Sequence, residues 1–336
     1  MTESTPPTAR AIPIGIQVLQ DLMLLWFVGS LHAVAEYNFA SIIGDGEMTT
    51  KELAARSGTL ESWVFRILRF LSTHGYFHQV DAASRTFCNT ERSACLRDDH
   101  PQSMRTMALL ILDQRSLQEW SVFSETMRTG VPAAEVVLGM SSYTYFDLHP
   151  DKRALFDNAL VHLEATVDAA IVGAFDFARY EHIVDVGGGG GKLLGQIVER
   201  YHVQGTLFDR PEVIAQRKKE SPLFELAAGD FFRELPVGDL YLMKSVLHNW
   251  SDEQCLDILR ACRRANAQGV LLVSEQVIGI GRNFAETLDI LMGLEYEGRE
   301  RTQQEFEALF TQAGYRLSEV IPTPSPMTLL FVEAVT

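Results

Sequence analysis

Five consecutive glycines, Gly187 to Gly191, end the apolar run Ile183-Val184-Asp185-Val186 and lead straight into Lys192-Leu193-Leu194-Gly195-Gln196-Ile197-Val198. The apolar run reads as a buried strand, the glycines as a tight turn, and the segment after them as the start of a helix. Residues without a Cβ let the main chain approach a ligand closely, so this turn is a candidate nucleotide-cofactor site, with Gly187, Gly189 and the neighbouring Asp185 as contact positions. Leu207-Phe208-Asp209 follows at the spacing of a next strand. Asp209, at its end, is placed to accept hydrogen bonds from two ribose hydroxyls. The competing reading is a strand-to-helix turn that is merely tight, and the later segments count against it.

The 336 residues suffice for two domains and a sizeable core, and the formal net charge of −15 opposes a phosphate backbone as partner. A small organic substrate suits that charge better. Cys88, Cys95, Cys255 and Cys262 form neither a CxxC pair nor a cluster of zinc spacing, so neither a metal site nor a disulfide framework is expected, and a reducing cytoplasm is the natural setting. Residues 1–12 read as a loose polar tail without a signal-peptide pattern. The apolar stretch Leu22 to Ala35 is shorter than the roughly 20 residues of a spanning helix and contains His32, which favours burial in a core or a subunit interface over a membrane.

Periodicity divides the chain. Residues 13–165 are mostly helical in pattern, whereas 166–336 alternate short apolar runs with helical stretches: His182–Val186, Thr206–Phe208, Glu225–Ala228, Leu240–Leu247 and Val270–Val273 are strand candidates. Arg316–Ile321 and Met327–Ala334 are joined through Pro322-Thr323-Pro324-Ser325-Pro326, too short for a helical crossover, so the last two strands should pair antiparallel. In the first half, a capped helix ending at Gly58, a second helix Ser62–Ser72, and strands Phe77–Val80 and Thr86–Cys88 form the pattern of a winged helix-turn-helix. Arg66 and Arg69 would face a DNA groove, but Trp63, Phe65, Ile67, Leu68, Phe70 and Leu71 leave that helix little polar surface. Packing or dimerisation is therefore expected, not nucleic-acid binding.

The second strong signal is Asp239-Leu240-Tyr241-Leu242-Met243-Lys244-Ser245-Val246-Leu247-His248-Asn249-Trp250-Ser251-Asp252-Glu253. A buried strand ends in a histidine and a tryptophan, and Ser251 then caps a helix with acidic residues in its first turn. Ligands bind at the carboxyl edge of open α/β sheets, so His248 is presented beside the glycine turn, where an imidazole can take a proton from a hydroxyl. By itself, a histidine at a strand end is more often a plain hydrogen-bonding residue.

From residue 14 onward the chain resembles the plant phenolic O-methyltransferases of the caffeate and flavonoid type and their bacterial relatives in aromatic polyketide, antibiotic and phenazine biosynthesis. The resemblance rests on the winged N-terminal region, Asp185-Val186-Gly187-Gly188-Gly189, Phe208-Asp209-Arg210-Pro211, Gly229-Asp230-Phe231-Phe232, Lys244 with His248 to Glu253, and Gly298-Arg299-Glu300-Arg301-Thr302. It implies an α/β fold: a Rossmann-like seven-stranded sheet with an antiparallel last strand, preceded by a helical dimerisation domain, in a homodimer. It implies S-adenosylmethionine as methyl donor, with S-adenosylhomocysteine as product. Gly187 and its neighbours would line the methionine and ribose portions, Asp209 the ribose, Asp230 and Phe231 the adenine, with Lys244 and Trp250 nearby. His248 matches the family's general base, and Glu275 and Glu300 the acids that flank it. Phe156 and Leu160 match positions that contact the aromatic acceptor, with Leu291 and Met292 on a helix across it, and Tyr143, Tyr145, Phe146, Asn158 and His162 as further candidates. Asn249 stands where the plant enzymes carry aspartate, and the plant Asn-Pro-Gly-Gly before Glu300 is absent. Other chemistries on the same cofactor, namely N-methylation, hydroxylation or a pericyclic rearrangement, stay open. So, less favoured, do a winged-helix regulator and a nicotinamide dehydrogenase.

Overall fold

The computed structural model describes residues 12–217, 223–281 and 283–335, without the side chains of 161–163. The expected tail, apart from Ile12, and the His162 ring lie outside the described residues. Contacts gather the chain into two compact units: residues through Ser116 together with Leu155–Ala159, and Leu117–Ala154 together with Leu160 onward. The boundary expected at 165/166 falls inside one long helix, Pro150–Ala174, of which residues 155–159 cluster with the first unit.

In the first unit, β1 (Glu47–Thr49), β2 (His78–Asp81) and β3 (Thr86–Cys88) form a small antiparallel sheet in the order β1-β3-β2. Helix Thr50–Ser57 starts at a Thr49–Glu52 capping box and stops at Gly58 in the left-handed conformation. Val64, Leu68 and Leu71 recur at three and four spacing along Glu61–Ser72, and pack with Leu53, Phe77 and Phe87. Arg66 lies over the Trp63 ring and Arg69 over Phe65, so both guanidinium groups are engaged by aromatic faces.

The N-terminal apolar segment is longer than the sequence reading allowed. Helical structure runs from Ile14 to Glu36, 23 residues that by length and composition alone are sufficient to cross a membrane. Leu22–Ala35 underestimated it because the amphipathic turns before Leu22 continue the helix, with only Met23 between Ile14–Leu22 and Leu24–Glu36. Ile14, Leu22, Leu24, Leu25 and Trp26 are exposed.

The second unit is built on seven strands: β4 (His182–Val186), β5 (Gln204–Asp209), β6 (Glu225–Ala228), β7 (Leu240–Lys244), β8 (Val270–Glu275), β11 (Tyr315–Pro322) and β12 (Thr328–Ala334). A separate parallel pair joins β9 (Val277–Ile278) to β10 (Arg301–Thr302). The main order is β11-β12-β8-β7-β4-β5-β6, parallel from β8 to β6, with β12 antiparallel to both β8 and β11. Strand order reverses between β4 and β7, where a crevice opens at the carboxyl edge.

Strands covered on both faces read as continuous apolar runs, and their alternation assigns each residue to a side. Val184, Val186, Tyr241 and Met243 face one layer, with Cys255, Ile258, Leu259 and Cys262 of helix Asp252–Ala265 and Phe306 and Phe310 of helix Gln303–Gln312. Ile183, Leu240, Leu242 and Leu272 face the other, with Leu193, Leu194 and Ile197 of helix Lys192–Tyr201 and Val167, Ile171 and Val172 of Pro150–Ala174. Each fully buried aliphatic side chain contributes about 1.5–3 kcal/mol against exposure. The apolar run from Leu240 does not stay extended to Leu247: β7 stops at Lys244 because Ser245 turns the chain at φ 54°.

The glycine turn has little room. At Gly191, with φ +69°, an added Cβ would fall 2.6 Å from the Phe224 ring. Gly191→Ala should therefore lower the unfolding free energy by about 1–3 kcal/mol, read from urea denaturation. An unchanged midpoint would show that the turn is not confined as described.

Candidate active site

The parallel strands deliver their last residues to one edge. After Val186 the chain enters the glycine turn, where the Gly187 N–H donates to the Phe208 carbonyl at 2.8 Å and the Gly189 N–H to Asp209 Oδ2 at 2.8 Å. The Arg210 N–H donates to Asp209 Oδ1 at 2.7 Å, so the carboxylate is oriented by two backbone donors and each oxygen retains a lone pair for a hydroxyl. Asp185 is buried directly beneath the turn: a Cβ on Gly188 would fall 2.3 Å from its Oδ2. Burial, assisted by Asp168 and Asp209 and opposed by Lys244, pushes the Asp185 carboxyl up to about 7.

An aromatic wall stands beside this turn. Phe231 and Phe232 meet Trp250 edge to face at 5.8 and 4.9 Å, and Tyr143 stacks on Trp250 at 5.6 Å. Asp230, which follows β6, accepts the Phe232 N–H through Oδ1 at 3.0 Å. Space over Gly189, where an added Cβ would meet nothing within 4 Å, together with the held Asp209 carboxylate and the Phe231/Trp250 wall, fits an adenosine-type cofactor. Gly187, Gly189, Asp185, Asp209, Asp230, Phe231, Lys244 and Trp250 all belong to this unit.

The histidine sits on a short 3-10 turn, Leu247–Asn249, held from both backbone polarities. Buried Glu275, the last residue of β8, accepts the Val246 and Leu247 N–H groups through Oε1 at 3.0 and 2.8 Å, and the His248 N–H at 3.4 Å. Arg301, fully buried, donates to the Leu247 and Trp250 carbonyls at 3.0 and 2.9 Å and to Asp252 Oδ1 at 2.7 Å. The ring itself bonds Glu300: Nδ1 to Oε1 is 2.9 Å. Glu275 Oε2 lies 3.7 Å from Nδ1, too far for a hydrogen bond, so of the two acids Glu300 fixes the ring and Glu275 fixes the backbone that carries it. Among the described residues no group hydrogen-bonds Nε2.

The second oxygens of Glu275 and Glu300 are buried without a partner. The ligand atoms of His248, Glu275 and Glu300 lie within 4.8 Å of one another, so both carboxylates stand close to the ring. Burial depresses the His248 pKa, but Glu275 and Glu300 outweigh it and raise the ring above its ordinary value. Burial pushes Glu275 up to about 7, with His248 opposing and Glu300 reinforcing.

The acceptor-side residues are less gathered. Asn249 donates its amide to the Ser245 carbonyl at 3.2 Å and so braces the turn. On helix Ala285–Glu295, Met292 is buried and Leu291 is 40% exposed, so the two consecutive residues face different ways. Leu160 is half-buried in the second unit, whereas Phe156 lies in the 155–159 segment that clusters with the first. Sequence reasoning gave Arg301 no role, although an arginine beside an acid of the site is a visible signal. It also passed over Asp168, which bonds Lys244 at 2.7 Å.

Gly298 shows how closely the acid-bearing loop packs on the histidine turn. An added Cβ there would fall 2.0 Å from the His248 carbonyl oxygen and 2.6 Å from the Trp250 nitrogen, both backbone atoms. Gly298→Ala should displace the turn and cut turnover by about 10²-fold or more, because small misplacements of catalytic groups cost that much. Wild-type kcat in a folded Gly298→Ala protein would refute the contact.

Residues 120–316 match the model of the O-methyltransferase domain family. A phenazine O-methyltransferase of Lysobacter antibioticus is 33% identical over 341 residues, covering 98% of this chain and 98% of its own. An 8-amino-8-demethylriboflavin N,N-dimethyltransferase of Streptomyces davaonensis is 30% identical, covering 87% of each chain. Among solved structures, the O-methyltransferase NcsB1 of neocarzinostatin biosynthesis, in complex with S-adenosylmethionine and 2-hydroxy-5-methyl naphthoic acid, superposes with a TM-score of 0.79 at 30% identity, over 97% of this chain and 100% of that one. The glycine turn, the carboxylate at the end of β5 and the braced histidine thus stand on a chain that belongs to the O-methyltransferase family.

Proposed function

We propose that this protein transfers a methyl group from S-adenosylmethionine to a hydroxyl of an aromatic natural product, with His248 as general base. The observation that carries the reading is the His248–Glu300 hydrogen bond on a turn braced by Glu275 and Arg301, next to a cofactor-type crevice. Gly187, Gly189 and Asp185 would accommodate the methionine and ribose portions of the donor, Asp209 the ribose hydroxyls, and Asp230, Phe231 and Trp250 the adenine. When bound, the donor supplies an electrophilic methyl group on a sulfonium.

The chain's own part is proton handling and orientation. A phenol has a pKa near 10, so a positioned base accelerates its attack by roughly 10² to 10⁴. With Nδ1–H donating to Glu300, the neutral ring carries its acceptor lone pair on Nε2. The proton taken there makes an imidazolium that the two buried carboxylates stabilise. Their pull also raises the resting pKa of the ring, so the neutral, active form predominates only on the alkaline side of that raised value. Phe156, Leu160, Asn249, Leu291 and Met292 are proposed to contact the acceptor, whose aromatic character is supported by the phenazine and naphthoic acid named for relatives.

N-methylation is the second reading, supported by the riboflavin-analogue dimethyltransferase. The intact histidine with two acids favours oxygen, whose proton must be removed. We further propose that residues 13–165 form a winged-helix dimerisation domain in which a second copy covers the exposed Ile14–Trp26 face, in a cytoplasmic homodimer that binds neither nucleic acid nor membrane. The acidic charge and the run of exposed apolar side chains on that face support this arrangement.

Incubation with isotopically labelled S-adenosylmethionine and a panel of hydroxylated phenazines, naphthoates, catechols and aminophenols should yield a labelled aryl ether by mass spectrometry. His248→Ala should lower that rate by 10² or more while donor affinity stays within about threefold of wild type. A labelled amine as sole product would transfer the assignment to nitrogen. Equal turnover by the variant would remove His248 as base.

A further inference from the structure

Alternation along the strands places Asp185 and Lys244 on the same side of the sheet. Asp185 shares a face with Ile183, and Lys244 with Leu240 and Leu242; this is the face on which Val167, Ile171 and Val172 of helix Pro150–Ala174 pack. Asp185 stands opposite Leu242 in the β4–β7 register, which makes Lys244 its diagonal neighbour at the end of the next strand. The helix adds one more charge to this apolar layer. Asp168, 1% exposed, accepts the Lys244 ammonium at 2.7 Å, while the Lys244 side chain keeps 19% exposure.

Asp168 thus bonds the ammonium directly, and the Asp185 carboxyl beside this pair, beneath the glycine turn, feels the charges of Lys244, Asp168 and Asp209 together. Lys244 alone would be a cation beside the site of a cationic ligand. S-adenosylmethionine carries one more positive charge than S-adenosylhomocysteine, so the field at this edge distinguishes substrate from product. We propose that Asp168 is a positioning residue of the cofactor site, which cancels and anchors the Lys244 ammonium so that the edge stays net negative and favours the sulfonium donor over its neutral thioether product. The inference rests on the reading of the donor given above. The ion pair draws Lys244 towards the helix.

Titration calorimetry with both ligands tests this without any acceptor present. In Asp168→Asn the uncompensated ammonium should weaken S-adenosylmethionine binding on the order of tenfold and leave S-adenosylhomocysteine within about twofold. Asp168→Glu, which retains the charge, should keep the wild-type ratio. The double variant Asp168→Asn/Lys244→Met buries neither charge of the pair, keeps Asp185 and Asp209, and should restore the wild-type ratio within about twofold. It also serves if the single variant does not fold, since a collapsed ratio in the double variant overturns the proposal. Parallel weakening of both ligands, or no change in Asp168→Asn, would reduce the pair to a structural bridge and refute the inference. A wild-type protein that binds neither ligand would instead refute the donor reading, and the inference with it.

Discussion

The site depends on a backbone turn held from two sides by buried charges. Glu275 accepts the N–H groups of Val246 and Leu247, and Arg301 donates to the carbonyls of Leu247 and Trp250. Charge-assisted hydrogen bonds of this kind are roughly twice as strong as neutral ones, and here they replace the regular ladder that the chain leaves at Ser245. A turn in that position would otherwise move with its loop. Braced in this way, it presents an imidazole whose orientation Glu300 completes from a different segment. Arg301 also bonds Asp252, in the first turn of the helix that Ser251 caps, so the brace is tied to an element packed in the core.

Two charge clusters therefore share one sheet edge and have opposite tasks. Around His248, two carboxylates make protonation of the ring favourable against the opposing charge of Arg301. Around Asp185, a helix-borne carboxylate absorbs a lysine and leaves the crevice negative. Both clusters sit at the ends of strands, where Glu275, Arg301, Glu300 and Asp168 each bond a backbone group or an opposite partner that offsets the cost of burial. An unpaired charge in either place would cost several kcal/mol.

Much of this was legible in the sequence because it is local. The glycine run, the apolar strands His182–Val186 and Glu225–Ala228, the Ser251 cap and the antiparallel closing strands each follow from periodicity and turn chemistry within a few residues. What escaped depends on distant partners. β7 looked longer than it is because Val246 and Leu247 are as apolar as the strand, and the groups that hold the turn after Ser245, Glu275 and Arg301, lie 28 and 54 positions beyond Leu247. Asp168 had a visible signal, a lone acid at helical spacing with Ile171 and Val172, but its meaning requires Lys244, 76 positions away. The unit boundaries after Ser116 and around residues 155–159 left no mark in the sequence, which suggested a division at 165/166, because helix Pro150–Ala174 runs through that region without a break in pattern.

The central claim is that two buried acids hold His248 as a base of raised pKa, and the pH dependence of kcat/KM tests it most directly, since that profile reports the free enzyme's essential groups. In the wild type, activity should rise with pH through an apparent pKa above the ordinary histidine value of about 6.5, because only the neutral ring accepts a proton. In Glu300→Gln, where one raising charge is gone, the limb should move to lower pH while the plateau falls. A profile flat from pH 6 to 9, or a limb that stays in place in Glu300→Gln, would contradict the account.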